Sequence, residues 1–168
     1  KTKDLRPAEA KNYKLIIPEW QTELSKIVAK YEQKQAALLP LLHNLQEKLG
    51  HISLELEAEI GSFLDVPAIK VREVVSFYHM FHTKPVGKYE INFCQTLSCS
   101  LLGCERLIDH IEKKLEIKAG ETTQDGKFTL KRVECLGACE IAPMMQISGR
   151  HYGPLTEKKI DEVLDGLK

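Results

Sequence analysis

Four of the five cysteines stand in two close pairs, and that spacing points to metal chemistry. Four residues separate Cys94 from Cys99 and three separate Cys135 from Cys139, with 35 residues between the pairs. Four thiolates carried on two loops meet the needs of one [2Fe–2S] centre, which takes two thiolates on each iron. The second pair sits in Cys135-Leu136-Gly137-Ala138-Cys139, where small residues let backbone come close to a cluster. Gly137 tolerates positive φ and adds no Cβ. Backbone N–H groups exposed there can donate to the sulfurs and offset the cluster's negative charge. Ser98 and Ser100 flank Cys99 as further candidate donors, at the start of a helix whose positive dipole end favours an anionic centre. On this reading the chain passes electrons singly and makes or breaks no substrate bond.

Other uses of the same cysteines stay open at this point. A structural zinc site also takes four thiolates, although its pairs are often two residues apart; that reading makes the chain a zinc-stabilised, non-redox interaction module. Two disulfides fit poorly with an odd number of cysteines in a chain that is not a small secreted scaffold. A thioredoxin-type dithiol needs Cys-x-x-Cys, which is absent. Cys104 falls on the helix after Cys99, near its apolar face, and reads as a buried structural thiol, or else as a reserve ligand. His79 and His82 lie three apart on a helix and form a weaker metal candidate, more simply explained as surface. The acidic residues show no pairing suited to acid–base work. No Gly-rich phosphate loop is present, so the chain by itself binds neither NAD nor ATP.

These cysteines must be positioned by a chain of 168 residues, of which 43% are hydrophobic, enough for one domain or two small ones. Equal numbers of basic and acidic residues give a formal net charge of zero, which argues against a nucleic-acid binder. No apolar run approaches the roughly 18–20 residues of a membrane helix. The opening Lys1-Thr2-Lys3-Asp4-Leu5-Arg6-Pro7 lacks the apolar core of a secretory signal. It is neither Arg- nor Ser-rich, so a bacterial cytoplasm is expected, with the mitochondrial matrix as alternative.

The first half reads as helices. Trp20, Leu24, Ile27, Val28 and Tyr31 share one helical face, and Leu38, Leu41, Leu42, Leu45 and Leu49 share another, closed by Gly50. Pro40 sits in the first turn of that second helix. Ser53 is the expected N-cap of a third, with Leu56, Ile60, Phe63 and Leu64 inward. Val71, Val74, Val75 and Tyr78 mark a fourth, ending in Phe77-Tyr78-His79-Met80-Phe81. Trp20 serves either as half-buried core or as a partner anchor. After Lys84-Pro85-Val86-Gly87 the period changes to two. Tyr89, Ile91 and Phe93 predict a strand that runs into Cys94. A helix with Leu101, Ile108, Ile111 and Leu115 on one face follows. Asp125-Gly126 then marks a turn, and a second strand over Phe128–Glu134 runs into Cys135. Further strands are expected at Met144–Ser148 and around His151 and Tyr152, then a last helix capped by Thr156. The expected fold is α+β, with an N-terminal helical bundle over 1–86 and a second domain over 87–168 whose element order resembles a reduced thioredoxin-like fold.

These residues also carry a family resemblance. Leu45-Gln46-Glu47-Lys48-Leu49-Gly50-His51-Ile52, Phe77-Tyr78-x-x-Phe81, Cys94-x4-Cys99, Gly120-Glu121-Thr122-Thr123 and Cys135-Leu136-Gly137-Ala138-Cys139 with Ala142-Pro143-Met144 resemble the small thioredoxin-like [2Fe–2S] subunit of the flavin module of respiratory complex I. The resemblance runs from about Leu38 to Leu167. It implies a thioredoxin-like [2Fe–2S] ferredoxin domain after the helices, with Cys94, Cys99, Cys135 and Cys139 as ligands of one [2Fe–2S] cluster. It implies an electron-transfer subunit of an NADH:quinone oxidoreductase that accepts one electron from reduced flavin and has no complete active site of its own. FMN and NAD(H) are then expected on a larger, NADH-binding partner subunit that also holds [4Fe–4S] iron, with the N-terminal helices docked against it in the peripheral arm of a membrane-associated complex. The same module occurs in soluble NAD-linked hydrogenases and formate dehydrogenases, whose small subunits often carry Gly-Thr-Ala-Cys before the second ligand. Thr96-Leu97-Ser98-Cys99 is closer to the complex I branch. A free-standing ferredoxin is the remaining alternative, and the large helical half argues for docking instead.

Overall fold

The computed structural model describes residues 14–167. The reading of the Lys1–Pro7 opening, and both outer ends of the expected domain ranges, lie outside the described residues. The chain forms two compact units that divide between Pro85 and Val86.

In the first unit the leucine and valine stripes become helices α1 (Pro18–Val28), α2 (Leu38–Leu49), α3 (Leu54–Leu64) and α4 (Ala68–Phe77), with a short 3-10 turn at Lys34–Ala37. Gly50 ends α2 at φ 79°, a conformation that costs glycine nothing. Ser53 accepts the Leu56 N–H through its side chain and so starts α3. Leu24, Leu41, Leu42, Leu45, Leu56, Ile60 and Val71 bury their side chains in one core. Two polar residues without a sequence signature fix its edges. Glu59 accepts the backbone N–H groups of Lys14, Leu15 and Ile16. Gln46 donates to the Met80 carbonyl and accepts from the His82 N–H, which ties α2 to the turn after α4. Tyr31 lies beyond α1 and is exposed rather than on its buried face. α4 stops at Phe77, because the backbone turns extended at Tyr78. His79 and His82 therefore stand in the following turn, not three apart on a helix.

In the second unit the period-two segment forms β1 (Tyr89–Cys94), followed by α5 (Leu97–Leu101), α6 (Cys104–Leu115), β2 (Phe128–Val133), β3 (Met145–Ile147), β4 (Arg150–Tyr152) and α7 (Glu157–Gly166). The sheet order is β2-β1-β3-β4, with β1 parallel to β2 and the other pairings antiparallel. β1 is central: Ile91 faces Leu130 on one side and Ile147 on the other in register. Cys104, Leu107, Ile108 and Ile111 form the i, i+3, i+4, i+7 stripe with which α6 covers the core, and Ile160 and Leu164 do the same from α7. His110 and Lys114 on α6 reach Asp161 on α7 at 2.9 and 3.3 Å. Thr156 caps α7 by accepting the Lys159 N–H.

The expected single helix after Cys94 is two. Leu102 leaves helical geometry and Gly103 takes φ 82°, so α5 and α6 point their residues independently. Leu101 is consequently 78% exposed and is not on the buried face with Ile108 and Ile111. The expected fold class is α+β, and that is what forms. Ile91→Ala should destabilise the protein by about 2–5 kcal/mol through the cavity left in the central strand, measured by denaturant unfolding, while leaving any metal bound per folded molecule unchanged.

Candidate metal centre

The parallel pairing of β1 and β2 decides where the cysteines go. Cys94 is the last residue of β1 and faces Val133 in register, so the loop carrying Cys135 begins beside it. The loops are joined by the Gln95 N–H to the Val133 carbonyl at 3.0 Å, the Gln95 side chain to Glu134 at 3.1 Å and the Cys94 N–H to the Met144 carbonyl at 3.3 Å. Arg132 clasps Glu105 with two bonds, 2.9 and 2.7 Å, fixing the end of β2 to the start of α6.

Cys94 and Cys99 are both buried and close enough to affect each other's ionisation. The Cys94 thiol donates to the Glu134 carbonyl at 3.2 Å and lies 3.2 Å from the Thr96 hydroxyl. Burial by itself pushes the Cys94 thiol up. The Thr96 hydroxyl, the Thr96 N–H, the Cys99 thiol and the Leu136 N–H all favour its thiolate, and the balance leaves it below the usual thiol range. Burial pushes Cys99 up to about 11, despite the Met144 N–H, and the neighbouring Cys94 pushes the same way. Cys104 is fully buried on the α6 stripe and is raised by that burial and by the Glu105 carboxylate, the environment of the structural thiol expected there.

Cys135 and Cys139 are exposed, the latter opening the 3-10 turn Cys139–Ile141. Gly137 takes φ 69° and its N–H donates to the Cys135 sulfur at 3.4 Å, the use of glycine anticipated for this loop. The structure thus brings the two loops into contact while the second pair of thiols stays at the surface. Among the described residues no three His, Cys, Asp or Glu side chains stand together as a ready metal site. The donor set nonetheless suits an iron–sulfur cluster. It offers two soft thiol pairs on adjoining loops, with N–H groups of Thr96, Leu136, Gly137 and Met144 aimed at sulfur. Thr96 is a donor that the sequence reading does not single out. Its place two residues after a strand-end cysteine, at the N-cap of a short helix, is the available signal; Ser98 and Ser100 are the residues expected in that role.

The family model for the thioredoxin-like [2Fe-2S] ferredoxin matches residues 24–168. The chain belongs to that family. Among curated relatives, an NADH-quinone oxidoreductase subunit of Rhizobium meliloti (strain 1021) is 39% identical over 146 residues, 87% of each chain. Its counterpart in the NADH-quinone oxidoreductase of Rickettsia felis is 42% identical over 142 residues, 83% of this chain and 85% of that one. Among solved structures, an NAD+-reducing [NiFe]-hydrogenase in the air-oxidized state superimposes with TM-score 0.65 and 26% identity, over 77% of this chain. The chain spans only 22% of that hydrogenase chain. This thioredoxin-like ferredoxin should show two classes of thiol when metal-free. An alkylating reagent followed by mass spectrometry is expected to label Cys135 and Cys139, whereas Cys99 and Cys104 react only on unfolding. If Cys94 ligates a cluster, Thr96→Val should lower its reduction potential by on the order of tens of millivolts, since it removes the hydroxyl 3.2 Å from the Cys94 sulfur.

Proposed function

We propose that this chain is the [2Fe–2S]-carrying electron-transfer subunit of the NADH-oxidising module of an NADH:quinone oxidoreductase, with Cys94, Cys99, Cys135 and Cys139 as the cluster ligands. The observation that carries the reading is the meeting of both cysteine loops at the ends of two parallel strands, in a chain so similar to proteins named as components of NADH-quinone oxidoreductase. When bound, the cluster supplies storage for one electron at a time. The chain's own residues supply the rest. Cys94 and Cys99 form a buried half-site, and the 135–139 loop closes the other half from the surface. Thr96, Leu136, Gly137 and Met144 donate to sulfur, which favours the more negative, reduced state. Each thiol must lose its proton on metal binding, most steeply Cys99.

No helix among the described residues is long and apolar enough to cross a membrane. The proposed place is the peripheral arm of the complex, on its cytoplasmic side or, in a mitochondrion, the matrix side. The proposed partner is a larger NADH-binding subunit that carries FMN and [4Fe–4S] iron. Apolar surface on both units supports docking: Leu54, Ile69 and Phe77 on the first, and Leu97, Leu101 and Leu102 beside the first cysteine loop, are all more than half exposed. The likeness to an NAD+-reducing hydrogenase supports a second reading, the corresponding subunit of a soluble NAD-linked hydrogenase or formate dehydrogenase.

The experiment is iron, sulfide and zinc content of the anaerobically purified protein, with EPR after dithionite reduction. About two irons and two sulfides per chain with a one-electron reduced signal are expected. Zinc without sulfide would replace the electron-transfer reading with a metal-stapled binding module. Cys94→Ser and Cys135→Ser should change or abolish the signal and Cys104→Ser should leave it intact. Loss confined to Cys104→Ser would overturn the ligand assignment.

A further inference from the structure

The second cysteine loop is held to the first at its two ends, through Glu134 and Met144. The 3-10 turn from Cys139 closes on itself through the Ile141 N–H to the Ala138 carbonyl and the Ala142 N–H to the Cys139 carbonyl, both 3.2 Å. Beyond it, the Leu155 N–H holds the Pro143 carbonyl at 2.8 Å. The Ile141 backbone lies against Gly153, in the turn that leaves β4. A Cβ at Gly153 would overlap the carbonyl oxygen of Ile141 and lie 3.1 Å from both its carbonyl carbon and its Cβ. The obstacle is backbone, so no side-chain rotation relieves it. Gly153 has no left-handed φ, and the position therefore demands space, not the conformational freedom that glycine usually supplies. The Lys159 ammonium bonds the Gly153 carbonyl at 3.0 Å and holds the turn in place from α7.

We infer that Gly153 is a positioning residue for the metal centre: its missing side chain lets the β4–α7 turn seat directly against the Ile141 carbonyl and so sets where Cys139, two residues before Ile141, presents its sulfur. This rests on the reading of Cys139 as a ligand. Gly153 has no side chain to offer a metal, and it acts only through the backbone it abuts. Residues that orient metal ligands in this way change metal affinity by about 10–100-fold when altered.

The test compares Gly153→Ala with Gly87→Ala in the full-length protein, purified anaerobically. Gly87 is a second crowded glycine in the same unit, less tightly hemmed than Gly153, where a Cβ would press to 2.9 Å on the Phe128 backbone. It lies at the entry of β1, the end of the strand opposite Cys94. Gly166→Ala, with nothing near its added carbon, is the neutral reference. Thermal unfolding, loss of iron to a chelator, reduction potential and the EPR g-values of the reduced protein are read for each. Gly153→Ala is expected to shift the g-values and the potential and to lose iron roughly 10-fold faster than wild type. Gly87→Ala is expected to lower the melting temperature with wild-type g-values. Wild-type g-values and iron retention in Gly153→Ala, whether or not it melts earlier, would overturn the inference. Where Gly153→Ala yields no folded protein, Lys159→Met loosens the same turn and is read by g-values alone, because loss of a charge moves the potential by itself. Unchanged g-values there overturn the inference and shifted ones support it. Absence of iron and sulfide in the wild type, or a wild-type signal in Cys139→Ser, would instead strike the reading of the centre and is seen before Gly153 is considered.

Discussion

The pairing of β1 with β2 is the constraint on which the rest of the second unit depends. Two strands that run the same way end at the same edge of the sheet, so any residue just past each end becomes a neighbour of the other. Here a cysteine is the last residue of β1 and another lies two residues past the end of β2. Parallel strands cannot be joined by a tight turn, and α5 and α6 supply the crossover. The same crossover buries Cys104, Leu107, Ile108 and Ile111 against the sheet. β3 then occupies the other flank of β1, and the residue before it reaches Cys94 through the Met144 carbonyl. The whole unit can be seen as a device for fixing one strand end on three sides.

Much of this is written in local patterns. Alternation over Tyr89–Phe93, the leucine stripe of α2 and the Ser53 and Thr156 caps each reflect a single physical rule, and each reads out correctly from neighbouring residues. What escapes is settled by partners far along the chain or by one backbone angle. The break at Leu102-Gly103 turns on a left-handed glycine inside an otherwise helical run, and it sends Leu101 to the surface. The end of α4 at Phe77 turns on the anchoring of the next residues by Gln46, which sits more than thirty positions earlier. Glu59 looks like any exposed helix carboxylate until the backbone of residues 14–16 is laid across it. The crowding at Gly153 is equally invisible, since its neighbour Ile141 belongs to another turn.

The metal centre divides in the same way. The two close cysteine pairs and the positive φ of Gly137 are legible in residue type and spacing. The split between a buried pair and an exposed pair is not, because it depends on where the strand ends relative to the loops. Cys94 is still within the sheet and draws Cys99 in with it, whereas Cys135 is already two residues past the register of β2. Thr96 gains its place beside sulfur only because α5 begins there.

The pairing has a consequence in time as well as in space. Gln95 and Glu134, which meet across the two loops, are 39 positions apart in the chain. The hydrogen bonds inside each helix of the first unit join residues one turn apart and close on the order of microseconds, whereas a sheet built on distant partners must first find them and forms more slowly. A newly made chain therefore holds its helices before its parallel strands. During that interval its thiols are scattered along an open polymer, at the mercy of whatever oxidant or stray metal arrives first.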